Sequence, residues 1–216
     1  MKWMDKLERK LYAWRVQPFF RYVVFAMAGT YLLQFMFPGY PLLERLALTR
    51  AGLMRGEIWR LVTFLVIPDA LSPLYALISL YFYYFIGTTL ESRWGARRFL
   101  LYYGLGAVGA ILAGLISGVG INTYLNLSLF FAFAILYPDY QVLIFFMLPI
   151  KIKWLAVANA FFFLWALING GPIQRAAIIA AILHLLLFFG GDLYNLLRLE
   201  IGNWKRRQQF RRNSRR

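Results

Sequence analysis

Long apolar runs recur along almost the whole chain, separated by short stretches rich in charge, proline or glycine. Hydrocarbon tolerates only a backbone that satisfies its own hydrogen bonds, so a run of about 20 mostly apolar residues reads as a membrane-crossing helix. Of the 216 residues, 61% are hydrophobic and 15% charged, against roughly 25% charged in soluble domains. A soluble enzyme is excluded, and the pattern predicts an all-α, multi-pass membrane protein.

The runs place spans at about Tyr22 to Phe37, Ser72 to Leu90, Phe99 to Val119, Tyr124 to Tyr137, Trp154 to Asn169 and Ala176 to Leu197. The breaker cluster Pro38-Gly39-Tyr40-Pro41 ends the first. Residues 42–70 carry Glu44, Arg45, Arg50, Arg55, Glu57, Arg60 and Asp69 among leucines, and predict a structured interfacial loop. Residues 91–98 predict a short charged turn. Val142 to Ile150 are apolar but hold Pro149, and predict a buried or interfacial segment. Gly106, Ala110, Gly114 and Gly118 make a small-residue stripe suited to close helix packing.

Residues 1–20 form an amphipathic segment, with Trp3, Met4, Leu7, Leu11 and Trp14 at helical spacing around Lys6, Arg9 and Lys10. This predicts a helix lying in the membrane interface. No removable signal sequence is read there, and the first span is expected to anchor the chain. Residues 21–197 make the membrane domain, and 198–216 a basic tail. With six spans, nineteen of the 24 Lys and Arg residues fall on the side of the two termini and five on the other, so both termini are expected in the cytoplasm. The tail, with Lys205-Arg206-Arg207, Arg211-Arg212 and Arg215-Arg216, suits anionic lipid. It comes with no fold or aromatic platform for reading bases, so no nucleic-acid partner is expected.

Chemistry is narrowly limited. The chain has no cysteine and one histidine, His184, which excludes disulfides, thiolate metal sites and multi-histidine centres. No metal or cofactor is expected, and histidine-dependent chemistry has a single address.

Two stretches carry a family resemblance. Gly56-Glu57-Ile58-Trp59-Arg60-Leu61-Val62-Thr63 is similar to the G-x-x-W-R-x-x-T motif of the rhomboid superfamily, and Glu91-Ser92-Arg93-Trp94-Gly95-Ala96-Arg97-Arg98-Phe99 resembles its E-x-x-x-G-x-x-R-F signature. The resemblance covers residues 20–197 and implies a rhomboid-like six-transmembrane helix bundle with a structured interfacial loop between spans one and two. Read as residues, Gly56, Trp59, Arg60, Thr63, Glu91 and Gly95 are architectural. Trp and Arg suit the membrane boundary, and Glu91, following a helix end, is expected to pair with Arg93, Arg97 or Arg98.

The resemblance also implies a serine nucleophile at the start of span four and a histidine base in span six. Those positions hold Ser128, within Asn126-Leu127-Ser128-Leu129, and His184. The family's G-x-S-G glycines are absent, and Leu127 and Leu129 bring bulk beside the serine. Its H-x-x-x-N oxyanion donors fall on Tyr75 and Ser79, which have hydroxyls but neither imidazole nor amide. The leading expectation is therefore a pseudoprotease similar to derlins and inactive rhomboids, binding transmembrane segments of client proteins. The alternative is an intramembrane serine protease using Ser128 and His184. A transporter is least favoured, because Asp192 is the only acid well inside a span.

Overall fold

A computed structural model describes residues 16–68, 72–144 and 148–190. The expected interfacial helix of residues 3–14, Asp192, the end of the sixth run and the basic tail lie outside the described residues.

Helix α1 (Phe20–Met36) starts two residues after Pro18, and Glu91 accepts hydrogen bonds from the N–H groups of Phe19 (2.7 Å) and Phe20 (3.4 Å) at its head. A helix begins with N–H groups that have no partner within it, so an acceptor there is stabilising. Phe20 lies against Gly87, where any Cβ would collide with its ring. It also meets Phe99 and Tyr103 edge-on, at centroid distances of 5.2 and 5.4 Å.

The segment after α1 is ordered throughout its described part. It comprises α2 (Leu42–Leu46), strand β1 (Leu48–Thr49), α3 (Arg50–Met54), α4 (Arg60–Thr63) and one 3-10 turn (Phe64–Val66). Thr49 caps α3, its side chain accepting the Gly52 N–H at 3.1 Å. Two long helices follow, α5 (Pro73–Trp94) and α6 (Ala96–Ser117), joined by Gly95 alone at φ +81°. Glycine adopts this left-handed geometry without a Cβ penalty. The expected charged turn therefore shrinks to one residue, and Glu91 sits inside the last turn of α5 instead of beyond its end.

Helix α6 stops at Gly118, whose φ of +98° closes it. Strand β2 (Val119–Gly120) then pairs antiparallel with β1, Leu48 opposite Gly120 and Thr49 opposite Val119. A Cβ on Gly114 would lie 2.6 Å from the Gly120 Cα, so the small-residue stripe admits this fold-back. Gly106 and Ala110 of the same stripe face the interior, so it serves packing within the chain.

Helix α7 (Thr123–Leu136) leads to a hairpin of β3 (Gln141–Ile144) and β4 (Leu148–Lys151), then α8 (Ile152–Asn169) and α9 (Pro172–Gly190). Val142–Ile144 and Leu148–Ile150 are thus paired antiparallel strands, a form that a short apolar run leaves open. Asp139, at its base, is paired with Lys151 (3.0 Å) and Lys153 (3.3 Å). The Lys151 hydrogen bond, with Lys153 beside it, holds the Asp139 carboxyl below the usual carboxylate range.

Helices occupy the described part of each of the six apolar runs. Among the described residues, α5, α6, α8 and α9 are long and apolar enough to cross a membrane. The 17 residues of α1 and 14 of α7 fall short of that length. Outward faces are apolar as well: Trp154, Phe161, Phe162 and Trp165 of α8 are all exposed. A surface of this kind is stable against lipid, which supports a membrane protein with several helices in the bilayer.

Candidate functional site

Ser128, Tyr102 and His184 meet in the interior where α6, α7 and α9 come together. Asn122, just before α7, donates through its amide to the carbonyls of Leu65 (3.2 Å) and Ile67 (2.9 Å), tying the start of α7 to the loop. Two turns on, Ser128 is 1% exposed. Its hydroxyl donates to the Leu125 carbonyl at 2.6 Å. The Tyr102 hydroxyl of α6 reaches both the Ser128 carbonyl (3.0 Å) and its Oγ (3.2 Å).

His184 of α9 is 5% exposed, and its Nε2 lies 2.8 Å from the Tyr102 carbonyl oxygen. The two rings are 4.3 Å apart, with Phe188 against both at 5.3 and 4.9 Å. A carbonyl oxygen has no proton to donate, so this contact requires the proton on Nε2. In neutral His184 the lone pair is then on Nδ1, which has no partner among the described residues.

The two dyad positions therefore share a neighbour. Ser128 sends its proton to its own helix and accepts from Tyr102, while His184 donates to the main chain of the same tyrosine. A serine nucleophile needs an imidazole lone pair pointing at its hydroxyl, and here the Nε2 lone pair is replaced by an N–H engaged elsewhere. Beside the serine, Leu129 is buried in the core and Leu127 packs with the Phe163, Ile178 and Ala181 cluster.

The positions expected for oxyanion donors lie outside this network. Tyr75 is 54% exposed in the first turn of α5, where its N–H meets the capping Ser72 hydroxyl at 3.4 Å. Ser79 donates back into its own helix, to the Ala76 carbonyl at 3.1 Å. Neither is hydrogen-bonded to Ser128 or His184. Asn126, at the first glycine of the G-x-S-G pattern, is buried, and its Nδ2 has no partner among the described residues.

The loop motif makes a second polar centre. Arg60, 6% exposed, donates to the carbonyls of Glu44 (2.6 Å) and Ala47 (2.5 Å) and is paired with Glu57. Thr63 donates to the Leu46 carbonyl at 2.9 Å. Together they bind one side of the loop to the other. A Cβ on Gly52 would lie 2.6 Å from Arg60 Nε, so that glycine provides the room. Gly56 turns the chain at φ +85°, and Trp59 is exposed.

Sequence reasoning missed Tyr102, Asn122 and Gly52. The first was within reach, because the small-residue stripe continued one turn back from Gly106 arrives at Tyr102. No family model matches the chain, and no curated protein matches it.

Proposed function

We propose that this protein is a rhomboid-like membrane pseudoprotease that binds transmembrane segments of other membrane proteins, in quality control or trafficking. It has six spans with both termini in the cytoplasm, and its basic tail rests on anionic lipid. The observation that carries this reading is the engagement of Tyr102 by both Ser128 and His184, which leaves the serine without a base. The bulky Leu127 and Leu129 and the displaced Tyr75 and Ser79 point the same way. The short α1 and α7, about 25 and 21 Å long at 1.5 Å per residue, favour a locally thinned bilayer. Thinned lipid suits the entry of helices that are themselves marginal in hydrocarbon.

Reconstitution in lipid nanodiscs with fluorescent transmembrane peptides tests the reading. Peptides with a polar residue at mid-span should bind and remain uncut, and a fluorophosphonate serine probe should not label the protein. Labelling or cleavage that disappears in both Ser128→Ala and His184→Ala would replace this reading with an intramembrane serine protease. Cytoplasmic and exported reporters fused after Arg216 test the topology. Activity of the exported one would overturn it.

A further inference from the structure

Around α4 the polar side chains turn inward and the apolar ones outward, the reverse of a loop that stands in water. Arg60 is buried on the Glu44 and Ala47 carbonyls, and Thr63 donates to the Leu46 carbonyl. On the outer side Ile58, Trp59 and Val62 are each more than half exposed, and so is Met54 before them. A 3.0 Å bond from the Val62 N–H to the Trp59 carbonyl places these two one turn apart. Between Ile58 and Val62 the one charged side chain is the buried Arg60, so this face carries no charge.

The depth of the loop follows from what its inner side touches. Leu48 and Phe64 pack with Ala110 of α6, and Leu53 and Leu61 pack against that cluster. Helix α6 has 22 residues, about 33 Å at 1.5 Å per residue, which matches a hydrocarbon layer of about 30 Å and leaves its ends near the headgroups. Ala110 precedes the last residue, Ser117, by two turns, about 10 Å inside that end. The loop therefore packs beside α6 at hydrocarbon depth and does not merely rest on top of it. Arg50, whose N–H meets the Gly118 carbonyl at 2.9 Å, marks the level of the helix end.

We propose that residues 54–62 form a lipid-binding wedge, sunk into the leaflet around the Ser117 end of α6, with Ile58, Trp59 and Val62 against acyl chains. Irregular backbone persists at that depth only where protein satisfies its polar groups, and Arg60 and Thr63 do this for three carbonyls at and just after the end of α2. Arg55 is exposed beside the patch and bears a long stem, so its guanidinium reaches back to headgroup phosphate. Lipid is the occupant because the patch borders a surface that already faces it: the 3-10 turn after α4 packs against α1, whose Leu32, Leu33 and Met36 are exposed. The wedge requires that α6 cross the bilayer and is independent of the family reading.

The chain has no cysteine, so one introduced thiol carries one nitroxide label. Ile58→Cys and Val62→Cys test the patch, Leu112→Cys on the exposed side of α6 serves as the immersed reference, and Arg50→Cys as the boundary reference. In full-length protein in phosphatidylcholine–phosphatidylglycerol vesicles, collisions with oxygen, which concentrates in hydrocarbon, are compared with collisions with a water-soluble nickel chelate. The oxygen-to-nickel ratio at Ile58→Cys and Val62→Cys should match that at Leu112→Cys and exceed that at Arg50→Cys several-fold. All four positions are exposed, and thermal unfolding of each labelled variant checks that it is folded. A ratio at both patch positions equal to that at Arg50→Cys would place the loop in water and overturn the wedge. Immobile labels shielded from both reagents would overturn it in favour of a protein partner or a second copy. A probe-reactive Ser128 would refute the pseudoprotease reading and leave these ratios to stand or fall separately.

Discussion

Tyr102 and His184 are joined twice, by the 2.8 Å contact from Nε2 to the Tyr102 carbonyl and by rings whose centroids are 4.3 Å apart. The first contact uses the main chain, so it does not depend on which side chain stands at position 102. The hydroxyl of the same tyrosine independently occupies Ser128. One residue thus holds the members of the apparent dyad in separate hydrogen bonds.

Tyr102→Phe should therefore leave the protein unreactive toward a fluorophosphonate. The substitution frees one lone pair of Ser128, yet the serine proton still goes to Leu125 and His184 still donates to the carbonyl at 102. The expected cost is about 1 kcal/mol, that of one neutral hydrogen bond, read by unfolding in mixed micelles. Strong probe labelling of this variant would mean that the Tyr102 hydroxyl alone restrains the serine.

Arg60→Ala should destabilise the fold by roughly 3 kcal/mol, because it strands two carbonyls and Glu57 together. Arg60→Lys should recover only part, since an ammonium lacks the planar fork that reaches several acceptors at once. Gly52→Ala should also destabilise by displacing the guanidinium. Combined with Arg60→Ala, its effect should be far below additive, and a double-mutant cycle on thermal unfolding checks this. Additive losses would show that Gly52 matters for its backbone or for the room it leaves the Thr49 hydroxyl, and not for the space it leaves Arg60.

Glu91→Ala should cost about 2 kcal/mol by leaving the N–H groups of Phe19 and Phe20 without their acceptor. Glu91→Gln keeps one oxygen there and should lose less. Hydrogen exchange at the head of α1 separates the two, with faster exchange expected in the alanine variant and intermediate exchange in the glutamine one.

Asp139 gives a pH dependence with a definite sign. A carboxyl held below its ordinary value stabilises the fold above that value and ceases to do so as pH falls through its lowered one. Amide protection in strands β3 and β4 should therefore decline below about pH 4, and Asp139→Asn should lack this step. Both side chains are open to solvent, so added salt should weaken the pair at neutral pH.

Much of this organisation was legible in the chain because its causes are local. Apolar runs interrupted by Pro38-Gly39, Gly95 and Gly170-Gly171-Pro172 divide it into helices wherever the sequence is read, since each helix satisfies its own backbone. The spacing of Gly106, Ala110 and Gly114 marked the face of α6 that packs inward. The pairing of β3 with β4 was not legible, because strand and buried helix share the signature of a short apolar run.

Polar partners were legible least of all. Ser128 and His184 could be named from position, and Glu91 and Arg60 from their motifs. Yet Glu91 accepts from a helix 71 residues away, and Arg60 closes on carbonyls 13 and 16 residues back. Ser128 and His184 each turn to Tyr102. A buried polar group takes whichever partner packing brings within about 3 Å. Residue types along the chain determined which groups needed partners, and only the docking of one helix against another decided which partners they found.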